Sequence, residues 1–266
     1  MKIIGSTVVV EPLKIAILKA IGTLEAKGEK YRYAVRSSAV GEDSEETSAA
    51  GQNSTYLGIS GAENVVKNVA KCWASLYSYQ SVQYRRQHGL AVKAAMGVCV
   101  QRMVDAEAAG VMFTRHPTTG DPSDIIITAN YGLGESVVSA MVEPDTITVH
   151  RSWDNKLSFK ESVLGNKTQK ILMNGDGVAN ANLDEKEAQQ VSISEKIALE
   201  LASIGLDLEL LFGSARDVEW AVSGDKIYLL QARPITTLNT WTDFELTHEL
   251  DNTVPSDIDL MTFANV

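Results

Sequence analysis

The sequence predicts an α+β fold, with strands paired by hairpins and a few helices set apart from them, rather than a doubly wound parallel sheet. Three observations carry this. Several alternating or apolar runs are separated by short turn-rich breaks. A few longer stretches place apolar residues at helical spacing. The 266 residues are 44% hydrophobic, enough for one large domain or two lobes with a real core.

In chain order, Val8 to Ala26 carries a stripe at Leu13, Ile17, Leu18, Ile21 and Leu24, which predicts a short helix. Tyr31 to Ser37 alternates like a strand. Ser38 to Tyr56 has no apolar periodicity and is rich in small residues and acids, so a functional loop is expected. Glu63 to His88 carries Val65, Val66, Val69, Cys72, Trp73, Leu76 and Tyr77, a helical stripe ended at Gly89. Ala94 to Val104, Gly110 to Thr114 and Asp124 to Ala129 read as strands, followed by a glycine-rich loop from Asn130 to Ser136. Thr146 to Arg151 and Lys156 to Val163 predict a hairpin around Asp154-Asn155. Leu164 to Asn182, polar and rich in Gly and Asn, is expected to be a surface loop. Asp184 to Phe212 predicts a long helix, with a D-x-x-E capping pattern at Asp184 and Glu187 and Gly213 just past its end. From Leu238 periodicity is lost; residues 1–239 read as one domain, and 240–266 as a linker or the first fragment of another.

The most informative stretch is Arg216 to Thr237, which predicts a hairpin turning at Ser223-Gly224-Asp225-Lys226. With Glu219 opposite Gln231, Asp217 faces Arg233, and alternation puts all four polar groups on one face. The other face then holds Val218–Ala232, Trp220–Leu230 and Val222–Tyr228. Carboxylate plus amide oxygen suits a hard cation such as Mg²⁺, often completed by phosphate. Arg233 would reach the same phosphate with its fork of donors. A cross-strand salt bridge on a solvated hairpin explains the same residues. The assumed register needs a three-residue loop, which usually wants its glycine last, whereas Gly224 comes first.

Other segments carry weaker chemistry. Arg36 ends a strand, and the following loop of serines, glycines and alanines closes at Gly51-Gln52; such small residues let backbone N–H groups approach phosphate, with Arg36 as the fixed charge. Ordinary turns look similar, and the acids between Glu42 and Glu46 oppose anion attraction. In CVQRMVDAEAAGVMFT a purine ring would fit beside the strand, with Met103 as an adaptable wall and Glu107 near a ribose hydroxyl; a bent core strand is the plainer reading. The loop Gly132 to Glu135 lacks the Lys-Ser/Thr of a P-loop. His88, His116, His150 and His248 show no metal-ligand spacing. A formal charge of −10 without a dense basic run argues against nucleic acid or an anionic membrane as partner. Cys72 and Cys99 read as buried free thiols of a reducing compartment, and no segment has membrane-spanning length, so a cytoplasmic protein is expected.

Taken in order, VRSSA…AGQ…YLG, CWASLYS…YR, VQRMV…GVMFT, GLGESVVS…PD and VEW…LLQARPITT resemble the pyruvate phosphate dikinase family, which includes phosphoenolpyruvate synthase and rifampin phosphotransferase. The resemblance runs from about Tyr31 to Thr237. It implies the ATP-grasp fold, two α+β lobes around ATP, with Mg²⁺ as cofactor. It further implies that Arg36 and Arg233 contact phosphates, that Gly51 and Gln52 lie in a phosphate-covering loop, and that Gln101, Met103 and Val104 form the adenine-side hinge. Glu107 falls at a ribose-side acid, and Glu219 and Gln231 at the Mg²⁺ ligands. In such enzymes ATP gives its β-phosphate to a histidine on a separate carrier domain, leaving AMP and inorganic phosphate.

The sequence also departs from the family. Nothing before Tyr31 reproduces the glycine-rich GGK segment, so the first lobe is expected to be incomplete. No histidine stands in the carrier's T-x-x-S-H-x-A context, and Arg115-His116 replaces a small residue and an acid. A non-catalytic nucleotide-binding or interaction module is therefore the competing expectation.

Overall fold

The computed structural model describes residues 9–26, 28–39, 53–91 and 94–235. In its first lobe, helix α1 (Glu11–Leu24) carries Pro12 in its first turn, where the missing N–H is harmless. Strands β1 (Arg32–Ala39) and β2 (Tyr56–Ser60) follow, then helices α2 (Ala62–Ser75) and α3 (Tyr79–Gln87) and strand β3 (Met96–Arg102). The strands form an antiparallel sheet in the order β2-β1-β3. Alternation along β1 sends Tyr33 and Val35 into a core with Ile21, Ile59, Val65, Val69 and Cys72. Ala34 and Arg36 point the other way, into a cavity described below. Of the predicted α1 stripe Ile21 is buried and Ile17 packs against this core, while Leu13 and Leu24 stay exposed.

The second lobe contains β4 (Ala108–Phe113), β5 (Asp124–Tyr131), the single turn α4 (Glu135–Val138), β6 (Asp145–Arg151) and β7 (Leu157–Val163). Next come β8 (Gln169–Asn174), β9 (Gly177–Asn182), α5 (Glu185–Ala188), α6 (Glu195–Phe212), β10 (Arg216–Ser223) and β11 (Lys226–Pro234). Six of these strands form an antiparallel sheet in the order β11-β10-β4-β5-β6-β7. Helix α6 covers one face over a core that includes Met112, Ile127, Ile147, Leu201, Val218 and Trp220. The helix lies close: a Cβ on Gly205 would come within 2.9 Å of Met112 Cε. The expected α+β class is therefore the observed one.

Four expectations are corrected. The helix expected over Glu63 to His88 is two helices, because Ser78 adopts extended backbone and its hydroxyl accepts from Ser81 N. A serine that caps the next turn competes with continuation of the last one. Buried Arg85 secures the break, donating to Ser81 Oγ at 2.8 Å and to Leu76 O at 2.6 Å. The helix expected over Asp184 to Phe212 is also two. The capping box of Asp184 and Glu187 is present, but it opens only α5, and α6 starts afresh at Ser194. Between them Ser192 turns away to give both its N–H and its hydroxyl to Asp145, each at 2.7 Å. The predicted stop at Gly213 holds, with φ of 71°.

The surface loop expected over Leu164 to Asn182 instead contains the hairpin β8–β9. Its composition is polar, but Asn174-Gly175-Asp176-Gly177 is turn chemistry, and Ile171 is buried against Leu133 and Ala221. This hairpin joins the lobes. Gly132 of the second lobe bridges to Ile171, and Ser60 Oγ of the first donates to the Asp176 carboxylate. Gly58 has φ of 72°, and a Cβ there would lie 2.1 Å from Gly177 O, so this approach requires glycine. Cys72 is buried as expected, but Cys99 is exposed on β3, whose outer edge is less covered than its apolar sequence implies. No described helix is long and apolar enough to cross a membrane.

Candidate functional site

Between the two sheets lies a cavity of about 450 Å³. One end is apolar, walled by Met103 and Val104 after β3, Leu133 before α4, and Ala221 and Leu230 of the β10–β11 hairpin. Met103 is held in place by Gly58 N, which donates to its Sδ at 2.9 Å. The other end is polar. There the Arg36 guanidinium donates to Gln231 Oε1, to Glu219 Oε2 at 3.4 Å and to Gln101 Oε1 at 3.5 Å. Arg233 lines the same end, one alternate position further along β11.

The hairpin explains why these groups converge. Glu219 pairs with Gln231, Asp217 with Arg233 and Val218 with Ala232, as the alternation predicts. Beyond Glu219 the register shifts: Trp220 pairs with Leu229, Ala221 with Tyr228 and Val222 with Ile227, so the expected Trp220–Leu230 and Val222–Tyr228 pairs do not form. A bulge absorbs Leu230, which turns into the cavity. The loop is then the two residues Gly224-Asp225, and positive φ, 58°, falls on Gly224 alone. That is the II′ pattern, which wants glycine first. Gly224 and the bulge are one device, and it aims Leu230 and Gln231 into the same cavity.

Burial pushes the Asp217 carboxyl up to about 6, although the facing Arg233 pulls it down; nearby Glu219 pushes it further up. Glu135, at the start of α4, also lines the cavity, and burial raises its carboxyl above the ordinary value.

Of the residues singled out from sequence, Arg36, Gln101, Met103, Val104, Glu219, Gln231 and Arg233 are brought together here. Glu107 is not among the lining residues: it is exposed, and its Oε1 accepts from Gly224 N at 3.0 Å, fastening the hairpin turn. Gly51 and Gln52 lie outside the described residues. Sequence reasoning missed Asn53 and Thr55, on the approach to β2, Leu57 within it, and Glu135 and Val138 of α4. The GLGE loop, which lacks the Lys-Ser/Thr of a P-loop, contributes one wall through Gly134, Glu135 and Val138. Arg115 lies elsewhere, sharing Glu209 with Arg151 at 3.1 and 3.4 Å.

The donor set suits a hard cation. Glu219 and Gln231 offer a carboxylate and an amide oxygen from directly paired positions. No group of three or more His, Cys, Asp or Glu that would enclose a metal occurs among the described residues. Two protein oxygens are what a Mg²⁺ completed by phosphate and water requires.

An apolar slot that ends in converging arginines beside a carboxylate–amide pair has the shape and chemistry that a nucleotide-binding domain needs. The chain belongs to the pyruvate phosphate dikinase AMP/ATP-binding domain family, whose model matches residues 1–252. It is 44% identical over 243 residues to a probable phosphoenolpyruvate synthase of Methanocaldococcus jannaschii, covering 89% of this chain and 20% of that protein. It is 36% identical over 239 residues to a rifampicin phosphotransferase of a Streptomyces species, covering 89% of this chain and 27% of that one. A probable phosphoenolpyruvate synthase of Methanothermobacter thermautotrophicus is 38% identical over 244 residues, 91% of this chain and 35% of its own. The chain thus spans between 20% and 35% of the length of these relatives.

Proposed function

We propose that the chain is an ATP-grasp domain that holds Mg-ATP between its lobes and presents it for β-phosphoryl transfer to a histidine on a carrier domain. The convergence of Arg36, Gln101, Glu219 and Gln231 at the end of an apolar slot supports this reading above all. Met103 and Val104 flank adenine, Gln101 belongs by its backbone to the hinge strand while its side chain holds Arg36 at the polar end, and Arg36 and Arg233 receive the phosphates through charge-assisted bonds. Glu219 and Gln231 would hold Mg²⁺, which supplies charge neutralisation on the phosphates. Glu107 keeps its place at the turn. With ATP as ligand and two free thiols, the setting is the cytoplasm.

The chain's own contribution is positioning and electrostatics. The two arginines fix the triphosphate, and the lobes exclude water from it. No histidine lines the cavity among the described residues, and the acceptor histidine is assigned to the separate carrier domain. Supplying a separate phosphohistidine carrier domain with Mg-ATP and following AMP tests that step; a purely nucleotide-binding module forms none.

Binding itself is tested at Glu219. Glu219→Gln keeps size and removes charge. Losing a charge-assisted contact costs about 1.5–3 kcal/mol, so Mg-ATP affinity should fall by more than about tenfold in calorimetric titration. An unchanged affinity would sink the cation assignment and leave the hairpin pair as a salt bridge. In that case the substitution shifts only stability, by under about 1 kcal/mol.

A further inference from the structure

The two oxygens best suited to a cation already have one: Arg36 donates to both Glu219 and Gln231, from the opposite sheet. The same guanidinium is the group assigned to phosphate. It is 21% exposed and Glu219 24% exposed, so neither is freely solvated, and water screens their interaction only in part.

We infer that Arg36 and a divalent cation compete for the Glu219–Gln231 oxygens, so that the site selects the metal–nucleotide complex over the free cation. This rests on the function proposed above and extends it to the order of binding. The charges make the argument. Arg36 and Glu219 together are neutral. A free divalent ion placed on the same oxygens must either share them with the guanidinium, which brings like charges together, or expel it, which strips a partly buried guanidinium of its counter-charge. A nucleotide arriving with its cation brings the missing counter-charge. Its phosphate oxygens take the guanidinium fork, and the carboxylate–amide pair is released to the metal at the same moment. Arg36 therefore acts as a positioning residue with two alternative partners, one on each side of the exchange. Gln101, 3.5 Å from Arg36 Nη1 on neighbouring β3, gives the side chain a third acceptor inside the cavity.

The test uses Mn²⁺ as probe, read by the loss of the free-ion signal in electron paramagnetic resonance, with no nucleotide and no turnover. Native protein is expected to bind Mn²⁺ weakly. Arg36→Met, which keeps length and removes charge, should bind Mn²⁺ at least about tenfold more tightly, and Arg36→Lys should stay near native. Adding Glu219→Gln to Arg36→Met should erase the gain, which places the ion on this oxygen pair. The same Arg36→Met variant should bind Mg-ATP less tightly than native. Equal Mn²⁺ affinity in native and Arg36→Met overturns the inference. So does tight binding of Mn²⁺ to native protein that Glu219→Gln abolishes, an outcome that needs no Arg36 variant to fold. Failure of native protein to bind Mg-ATP would strike the proposed function instead, and leave the Mn²⁺ comparison to decide the competition separately.

Discussion

Lys167→Met is expected to destabilise the chain by about 3–5 kcal/mol, because it strands a buried carboxylate. Lys167 and Asp145 are both fully buried, with Nζ 2.5 Å from the carboxylate. The carboxylate also collects Gly165 N at 3.0 Å and Ser192 N and Oγ, while Lys167 Nζ donates to Gln190 O at 2.7 Å. One ion pair thus ties β6 to the segment before β8 and to the break between α5 and α6. Removing the ammonium leaves Asp145 with neutral donors only. Pairing the change with Asp145→Asn removes the uncompensated charge and should recover part of the loss. Urea unfolding of the native, single and double variants measures this; a single variant no less stable than the double would contradict it.

Trp220→Ala should cost about 3–5 kcal/mol, the range for emptying a buried aromatic site. Trp220 is fully buried beneath α6, in the core with Met112 and Val218. Its Nε1 has no hydrogen-bond partner among the described residues, so the indole acts by packing alone. Trp220→Phe therefore gives up volume but no hydrogen bond and should cost clearly less than Trp220→Ala. Melting curves separate the two, and equal losses would show that the indole nitrogen matters after all. The contrast with neighbouring Glu219 is informative: one residue of β10 supports the fold, and the one before it serves the cavity.

That division was legible in the sequence because a strand has a period of two. Alternation alone placed Asp217 and Glu219 on one face, and Val218 and Trp220 on the other, with the first cross-strand pairs correct. The bulge at Leu230 was not legible, since it changes a count and not a pattern; only the order Gly224-Asp225 hinted at it. Arg36 was readable as a charge at a strand end. Its partners Gln101, Glu219 and Gln231 lie 65, 183 and 195 residues away, and spacing cannot bring such residues together. Hairpin alternation supplied Glu219 and Gln231, and the resemblance to a family added Gln101 and grouped all three with Arg36. The resemblance also carried Glu107 toward the nucleotide, whereas its carboxylate lies on the hairpin turn. Both broken helices escaped for a shared reason. Apolar periodicity runs on through Ser78 and Ser192, and what stops the helix is a side-chain or tertiary hydrogen bond made there. The hairpin β8–β9 was hidden by composition, although Asn174-Gly175 marked its turn.

In the proposed binding mode ATP occupies the cavity between the sheets, with its base against Met103, Val104 and Leu133. Photolabelling with 8-azido-ATP, followed by mass spectrometry of the labelled peptides, tests it most directly. The label is expected on the segment from Gln101 to Ala106 or from Gly132 to Glu135, and excess Mg-ATP should suppress it. A label on α6 or on the outer face of β7, or one that Mg-ATP does not displace, would contradict the account.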